Sequence, residues 1–128
     1  MDLQLKGKRA FVSGSTAGIG YAIAHALANE GANVIINGRT QEAVDKAALK
    51  IQQETNQTVQ GFAGDLSQAP IAEALFKAYP NIEILINNLG IFEPKAFEDT
   101  PDEDWMRLFD VNVLSGVRLS RLYLPAMK

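Results

Sequence analysis

The sequence contains no cysteine and a single histidine. Without cysteine there is no disulfide framework, no thiolate metal site and no thiol nucleophile. One histidine cannot build a His-cluster metal centre, so no metal is expected. Basic charge is also scarce: 12 Lys and Arg against 15 Asp and Glu leave a net charge of -3. That balance argues against a nucleic-acid partner, which needs a basic face. No apolar run approaches the roughly 18 residues that a membrane span requires. The opening residues, Met1 to Arg9, carry charges but no apolar h-region follows them, so they do not read as a signal peptide. What is present is 128 residues, 47% of them apolar. This is enough to fill the core of one α/β-type domain, soluble and expected in the cytoplasm. No linker, repeat or low-complexity stretch divides it, so residues 1–128 are expected to form a single unit.

Short β-branched runs alternate with longer amphipathic stretches, the pattern of βα units feeding a parallel sheet. Residues 10–12 make the first run, followed by a helix with Ile19, Ile23 and Leu27 expected on its inner face and Gly31 beyond its end. Residues 34–36 form a continuously apolar second strand, as in a strand buried on both faces. Thr40 opens a second helix reaching Thr55, with Ala43, Ala47 and Ile51 expected inward. Residues 58–63 form a weaker strand, expected at an edge. Ser67 is expected to cap a short helix carrying Ile71, Leu75 and Phe76. Residues 82–86 form a fourth strand. Thr100-Pro101-Asp102-Glu103 then reads as a capping box with Pro at the first helical position. A helical region, with room for a break, continues towards Lys128. Right-handed crossovers order the strands 3-2-1-4 and leave residues 82–86 as an open edge.

Strand, then Gly14-Ser15-Thr16-Ala17-Gly18-Ile19-Gly20, then helix is an arrangement that cradles phosphate. Gly14 allows the turn, Gly18 lets backbone approach a pyrophosphate, and Gly20 lets helix and sheet pack closely. The exposed N–H groups and positive end of the helix face the anion. No Gly-Lys-Ser/Thr follows, which disfavours a P-loop. The second strand ends in Asn37-Gly38-Arg39-Thr40, without the carboxylate that holds a ribose 2′-hydroxyl. Arg39 offers a planar fork to a 2′-phosphate, which favours NADP over NAD. Its alternative is a solvated turn residue. Asp65-Leu66 follows the third strand, where the carboxylate can accept from an adenine amino group or serve as a simple turn.

Together, Ser13-Gly14-x3-Gly18-Ile19-Gly20, Asp65-Leu66, Asn87-Asn88-Leu89-Gly90 and Asn112-Val113-Leu114-Ser115-Gly116 resemble the short-chain dehydrogenase/reductase family, in its order and spacings over the whole chain. The resemblance implies a Rossmann-type doubly wound parallel sheet and hydride transfer between a nicotinamide cofactor and a carbonyl or alcohol substrate. It implies that Gly14, Ser15, Thr16, Gly18, Ile19 and Gly20 line the pyrophosphate and ribose. Arg39 would select NADP, with NAD as second choice; Asp65 and Leu66 would flank adenine. Asn87, Asn88 and Gly90 would lie along the cofactor, and Asn112 would hold a water of the proton relay. It also implies a homodimer or homotetramer. The last helix fits this: Val113, Val117, Leu119, Leu122, Tyr123 and Leu124 do not share one stripe, so burial is wanted on more than one side.

Three departures accompany the resemblance. Leu89 stands where the family carries Ala. Ala17 stands where many NADP-preferring members carry a second basic residue. The family's catalytic Ser and Tyr-x3-Lys are absent: Tyr21, Tyr79 and Tyr123 are followed four residues on by His25, Glu83 and Met127. The 128 residues therefore read as the cofactor-binding half of a longer reductase, inactive by themselves. The alternative is a stand-alone nucleotide-binding or regulatory module. Other features have plainer readings. His25 reads as a solvated helix residue, and Glu98, Asp99, Asp102, Glu103 and Asp104 read as carboxylates favoured at a helix start. Trp105 reads as a packing residue, and Glu93 and Lys95 as loop charges facing water, with contact to a substrate as their alternative.

Overall fold

The computed structural model of the chain describes residues 2–91 and 94–128. Four parallel strands, β1 (Arg9–Val12), β2 (Asn33–Gly38), β3 (Val59–Ala63) and β4 (Ile84–Ile86), lie in the order β3-β2-β1-β4. Phe11 pairs with Ile35 on one side and Leu85 on the other. Because side chains alternate across a strand, this register divides the core between two faces. Val12, Val34 and Ile36 face α1 (Gly18–Asn29) and α2 (Gln41–Thr55), packing with Ala24, Ala28, Val44 and Ile51. Phe11 and Ile35 face α3 (Ala69–Ala78) and α5 (Ser115–Met127), packing with Leu75, Leu119 and Tyr123. The result is the doubly wound sheet expected from the sequence.

In α1, the buried residues are Gly20, Ala24 and Ala28, not the expected row led by Ile19, which is 75% exposed. Both rows have helical spacing, and the smaller side chains win because they bring the helix axis nearer the sheet. Ile23 and Leu27 pack at the flank. Gly31 ends the helix at φ +89°, donating to Ala28 O at 2.9 Å while Ala32 N donates to Leu27 O at 3.1 Å. That left-handed turn is the one glycine takes without strain. Thr40 caps α2 as expected, its Oγ1 accepting from Ala43 N at 3.3 Å. In this helix Val44 and Ala48 join Ala47 and Ile51 in the core, and Ala43 is only half-buried.

Two expected caps do not form. Ser67 donates its hydroxyl to the Asp65 carboxylate at 2.6 Å, and α3 begins two residues later. Thr100 donates instead to Ala96 O at 2.9 Å, closing the 3₁₀ turn Phe97–Asp99. With its hydroxyl engaged there, Pro101 becomes the residue before α4 (Asp102–Phe109). Trp105 is half-exposed, edge-on to Phe97 with ring centroids 6.0 Å apart, and so lies outside the core. The break expected in the last helical region is a π-helical segment, Asp110–Leu114, between α4 and α5.

Candidate functional site

All four strands run in parallel, so their carboxyl ends and the loops after them gather at one edge of the sheet, where such folds bind ligands. The loop between β1 and α1 is built for close approach. Gly14 and Gly18 take φ of +58° and +64°. A Cβ on Gly18 would meet nothing within 4 Å, leaving open space against bare backbone at the start of α1. Gly20 is the opposite case. A Cβ there would lie 2.4 Å from both Asn88 Nδ2 and Gly14 O, so helix and strand ends touch through this residue.

Polar side chains lock the loop. Asn37, 1% exposed at the end of β2, accepts from Gly14 N at 3.0 Å through Oδ1. Its Nδ2 donates to Phe62 O at 2.9 Å and Gly64 O at 3.2 Å. Ser15, also buried, donates its hydroxyl to Val12 O at 2.7 Å and accepts from Asn37 N at 2.8 Å. On the other side, Ser13 Oγ accepts from Asn88 N at 2.9 Å and Leu89 N at 3.0 Å, and Asn88 Nδ2 donates to Gly14 O at 3.1 Å. Three strand ends are thereby fixed to the glycine loop. The bracing role of Asn37 carries no local sequence signal, because its side-chain partners Gly14, Phe62 and Gly64 lie 23 to 27 positions away in the chain.

Beside the loop lies a crevice of about 250 Å³ whose lining includes Arg39, Asp65, Leu89, Gly90, Ile91 and Arg107. Arg39 is exposed at its rim. Asp65 is half-buried, with one carboxylate oxygen accepting from Ser67 N at 3.0 Å and from Ser67 Oγ, which holds the carboxylate still while leaving its second oxygen uncommitted in that turn. Leu66 is fully buried, its side chain in the core with Phe11 and Leu119 rather than in the crevice.

Asn112 lies in the π-helical segment. Its Oδ1 accepts from Ile91 N at 2.7 Å and its Nδ2 donates to Ile91 O at 3.1 Å. One amide thus completes both backbone groups of the residue after Gly90. A Cβ on Gly90 would come within 3.2 Å of that Oδ1. Asn87 turns the other way, its Nδ2 donating to Ser120 Oγ at 3.2 Å on α5. The candidate residues therefore converge on one edge, with Leu66 and Asn87 supporting it from behind.

The remaining candidates lie elsewhere. Glu93 is outside the described residues, and Lys95 pairs with Asp104. Among the described residues, no three acidic, His or Cys side chains come together as a metal would require, and no helix is long and apolar enough to cross a membrane. His25 lies 3.9 Å from Glu54 on the α1 surface. Tyr21 donates to Glu54 at 3.2 Å, and Tyr123 to Tyr79 O at 2.8 Å; none of the three tyrosines lines the crevice.

Comparison with known proteins agrees with this geometry. A family model described as short chain dehydrogenase matches residues 8–128. The chain is 51% identical over 128 residues to the uncharacterized oxidoreductase YvaG of Bacillus subtilis, covering 99% of this chain and 48% of that protein. It is 40% identical to D-beta-hydroxybutyrate dehydrogenase of Cupriavidus necator, covering 97% of this chain and 49% of that protein. The solved structure of L-sorbose reductase from Gluconobacter frateurii, complexed with NADPH and L-sorbose, superposes with a TM-score of 0.90 at 30% identity. That superposition covers 99% of this chain and 50% of the reductase. The chain spans about half the length of the curated relatives it matches.

Proposed function

The chain belongs to the short-chain dehydrogenase family, and we propose that its 128 residues are one undivided cofactor-binding unit of an NADP-preferring oxidoreductase. The reaction is hydride transfer between nicotinamide and a small carbonyl or alcohol substrate. The observation that carries this reading is the glycine loop: open space at Gly18, a backbone contact at Gly20 that admits no side chain, and the crevice beside them.

These features fit a dinucleotide. Backbone N–H groups from Thr16 to Gly20 and the positive end of α1 would hold the pyrophosphate, a use of helix N-termini that needs no side-chain charge. The N–H groups of Gly14 and Ser15 donate instead to Asn37. Ser15 keeps the loop in shape from behind, Thr16 and Ile19 flank the ribose side, and Asp65, with the backbone of Leu66, would face adenine. Arg39 would meet a 2′-phosphate, with NAD the weaker alternative because no carboxylate replaces it there. Asn88 and Gly90 would line the path toward the nicotinamide, braced by Asn87. When bound, the nicotinamide would supply the redox chemistry, giving hydride to a carbonyl or taking it from an alcohol. Asn112 acts as a positioning residue: it fixes the Ile91 backbone, and its place beside Gly90 suits it to hold a water of a proton relay.

The full protein is proposed to act in the cytoplasm as a homodimer or homotetramer. Phe109, Val113, Val117 and Leu124 leave an apolar row exposed along α4 and α5, with Leu119 and Tyr123 buried on the opposite side, which supports such a pairing. A second reading, a non-catalytic nucleotide-binding module, is favoured by the absence of Tyr-x3-Lys from these residues. A nicotinamide absorbance assay on the mass-verified 128-residue chain, with NADPH and a panel of carbonyls, tests the assignment. Saturable NADPH binding without turnover is expected; turnover, or no binding, would contradict it. Turnover by a longer polypeptide carrying the same residues separates the enzyme from the module.

A further inference from the structure

Apart from the crevice, a groove of about 520 Å³ runs between α1 and α2. It begins at Thr16, Ala17 and Gly18 in the glycine loop, and Lys46 and Lys50 of α2 line its far wall. The groove starts against the end of β2, because a Cβ on Gly38 would lie 2.5 Å from Thr16 Cγ2. Arg39 is the next residue. Arg39 lines the neighbouring crevice and not the groove, so the Thr16–Gly38 contact stands between it and the lysines of α2.

The two lysines are not equivalent. Lys50 places its ammonium 5.5 Å over the Tyr21 ring, an attraction that holds it at the far end of the groove. Tyr21 is itself tied to Glu54. Lys46 makes no ion pair among the described residues. Ala17 and Ala43 are too small to shield it from the loop, and the first turn of α1 carries no acidic residue to compete for it. The carboxylate nearest in sequence, Asp45, accepts from Gln41 at 2.7 Å and is not part of the groove lining.

We propose that Lys46 is a specificity-determining residue, the second cationic contact to the 2′-phosphate of NADP across from Arg39; this rests on the NADP reading given above. The charge arithmetic asks for it. A phosphate monoester carries close to two negative charges near neutral pH, and one guanidinium leaves about half of that unmatched. Lys46 stands six residues beyond the Thr40 cap, about 9 Å along the helix. Two long flexible side chains close that gap around a phosphate. As a point charge on an exposed stem, Lys46 adds affinity without demanding a fixed geometry.

The test is calorimetric titration of the protein with adenosine 2′,5′-bisphosphate and with adenosine 5′-monophosphate, for wild type, Lys46→Ala, Lys46→Arg, Lys50→Ala and Arg39→Ala. Lys46→Ala should weaken the bisphosphate about tenfold and leave the monophosphate within about twofold, as expected for one lost charge-assisted contact. Lys46→Arg should retain most of the affinity, and Lys50→Ala should match wild type. If Lys46→Ala binds the bisphosphate like wild type while Arg39→Ala loses its preference, the role of Lys46 is overturned and the NADP reading stands. If wild type binds the two probes equally, the NADP reading has failed and this assignment with it.

Discussion

Asn37 Oδ1 accepts the backbone N–H of Gly14 at 3.0 Å, while the amide nitrogen of the same side chain donates to carbonyls at Phe62 and Gly64. One buried amide therefore satisfies the first glycine of the β1–α1 loop and joins it to the end of β3. A buried donor or acceptor left without a partner costs about 1–3 kcal/mol. Replacing Asn37, which is 1% exposed, with Leu leaves the Gly14 N–H and the amide-bound carbonyls unmatched. Urea unfolding of Asn37→Leu should show a loss of about 2–4 kcal/mol. A loss below about 1 kcal/mol would mean that the loop holds its shape without this hub.

The two central glycines are expected to fail differently. Gly20→Ala brings a methyl group to 2.4 Å from Gly14 O, a backbone atom that cannot swing away. It should destabilise the fold by about 1–3 kcal/mol, the usual cost of overpacking. Gly18→Ala meets no atom within 4 Å. There the cost is the left-handed φ of +64°, about 1–2 kcal/mol. Its larger effect should be on cofactor affinity, because the new methyl group occupies the space that backbone needs against phosphate. Thermal melts with and without NADPH separate the two. Equal losses of ligand-induced stabilisation, after correction for the stability of each variant, would show that Gly18 has no such role.

Much of this architecture was legible in the chain. Four apolar runs and their crossovers specify the order β3-β2-β1-β4, and parallel strands must deliver Gly14, Arg39, Asp65 and Asn88 to one edge. Phase was harder to read than period: the rows starting at Ile19 and at Gly20 have the same spacing, and only proximity to the sheet chooses between them. Local side-chain competition was also hidden. Thr100 has the form of a helix cap, yet its hydroxyl reaches back to Ala96. The role of Asn37 was illegible for a different reason. Its partners come from residues 23 to 27 positions away on two other elements, so no local pattern records them.

Alkaline pH offers a test of the face opposite α1 and α2. Tyr123, 1% exposed, donates to Tyr79 O at 2.8 Å. Burial pushes its phenol up to about 12, with the Arg9 guanidinium drawing it partly back. A tyrosine in the unfolded chain titrates near about 10, so the folded protein holds this proton more tightly. The stabilisation is full below about pH 10 and is lost as pH rises from there through about 12. Wild-type unfolding free energy should fall across that window, and Tyr123→Phe should fall less steeply. Near neutral pH the variant should be weaker by about 1 kcal/mol for the lost hydrogen bond. Identical alkaline slopes in the two proteins would remove Tyr123 as a source of the loss.

The edge formed by Gly14, Gly18 and Arg39 is proposed to receive a dinucleotide and to read its 2′-phosphate. Equilibrium titration of NADPH and NADH into wild type and Arg39→Ala tests both halves of that proposal at once. Wild type should bind NADPH at least about tenfold more tightly than NADH, and Arg39→Ala should bring the two together by weakening NADPH alone, as loss of a charge-assisted contact requires. Equal weakening of both cofactors in Arg39→Ala, or no measurable binding of either by wild type, would contradict it.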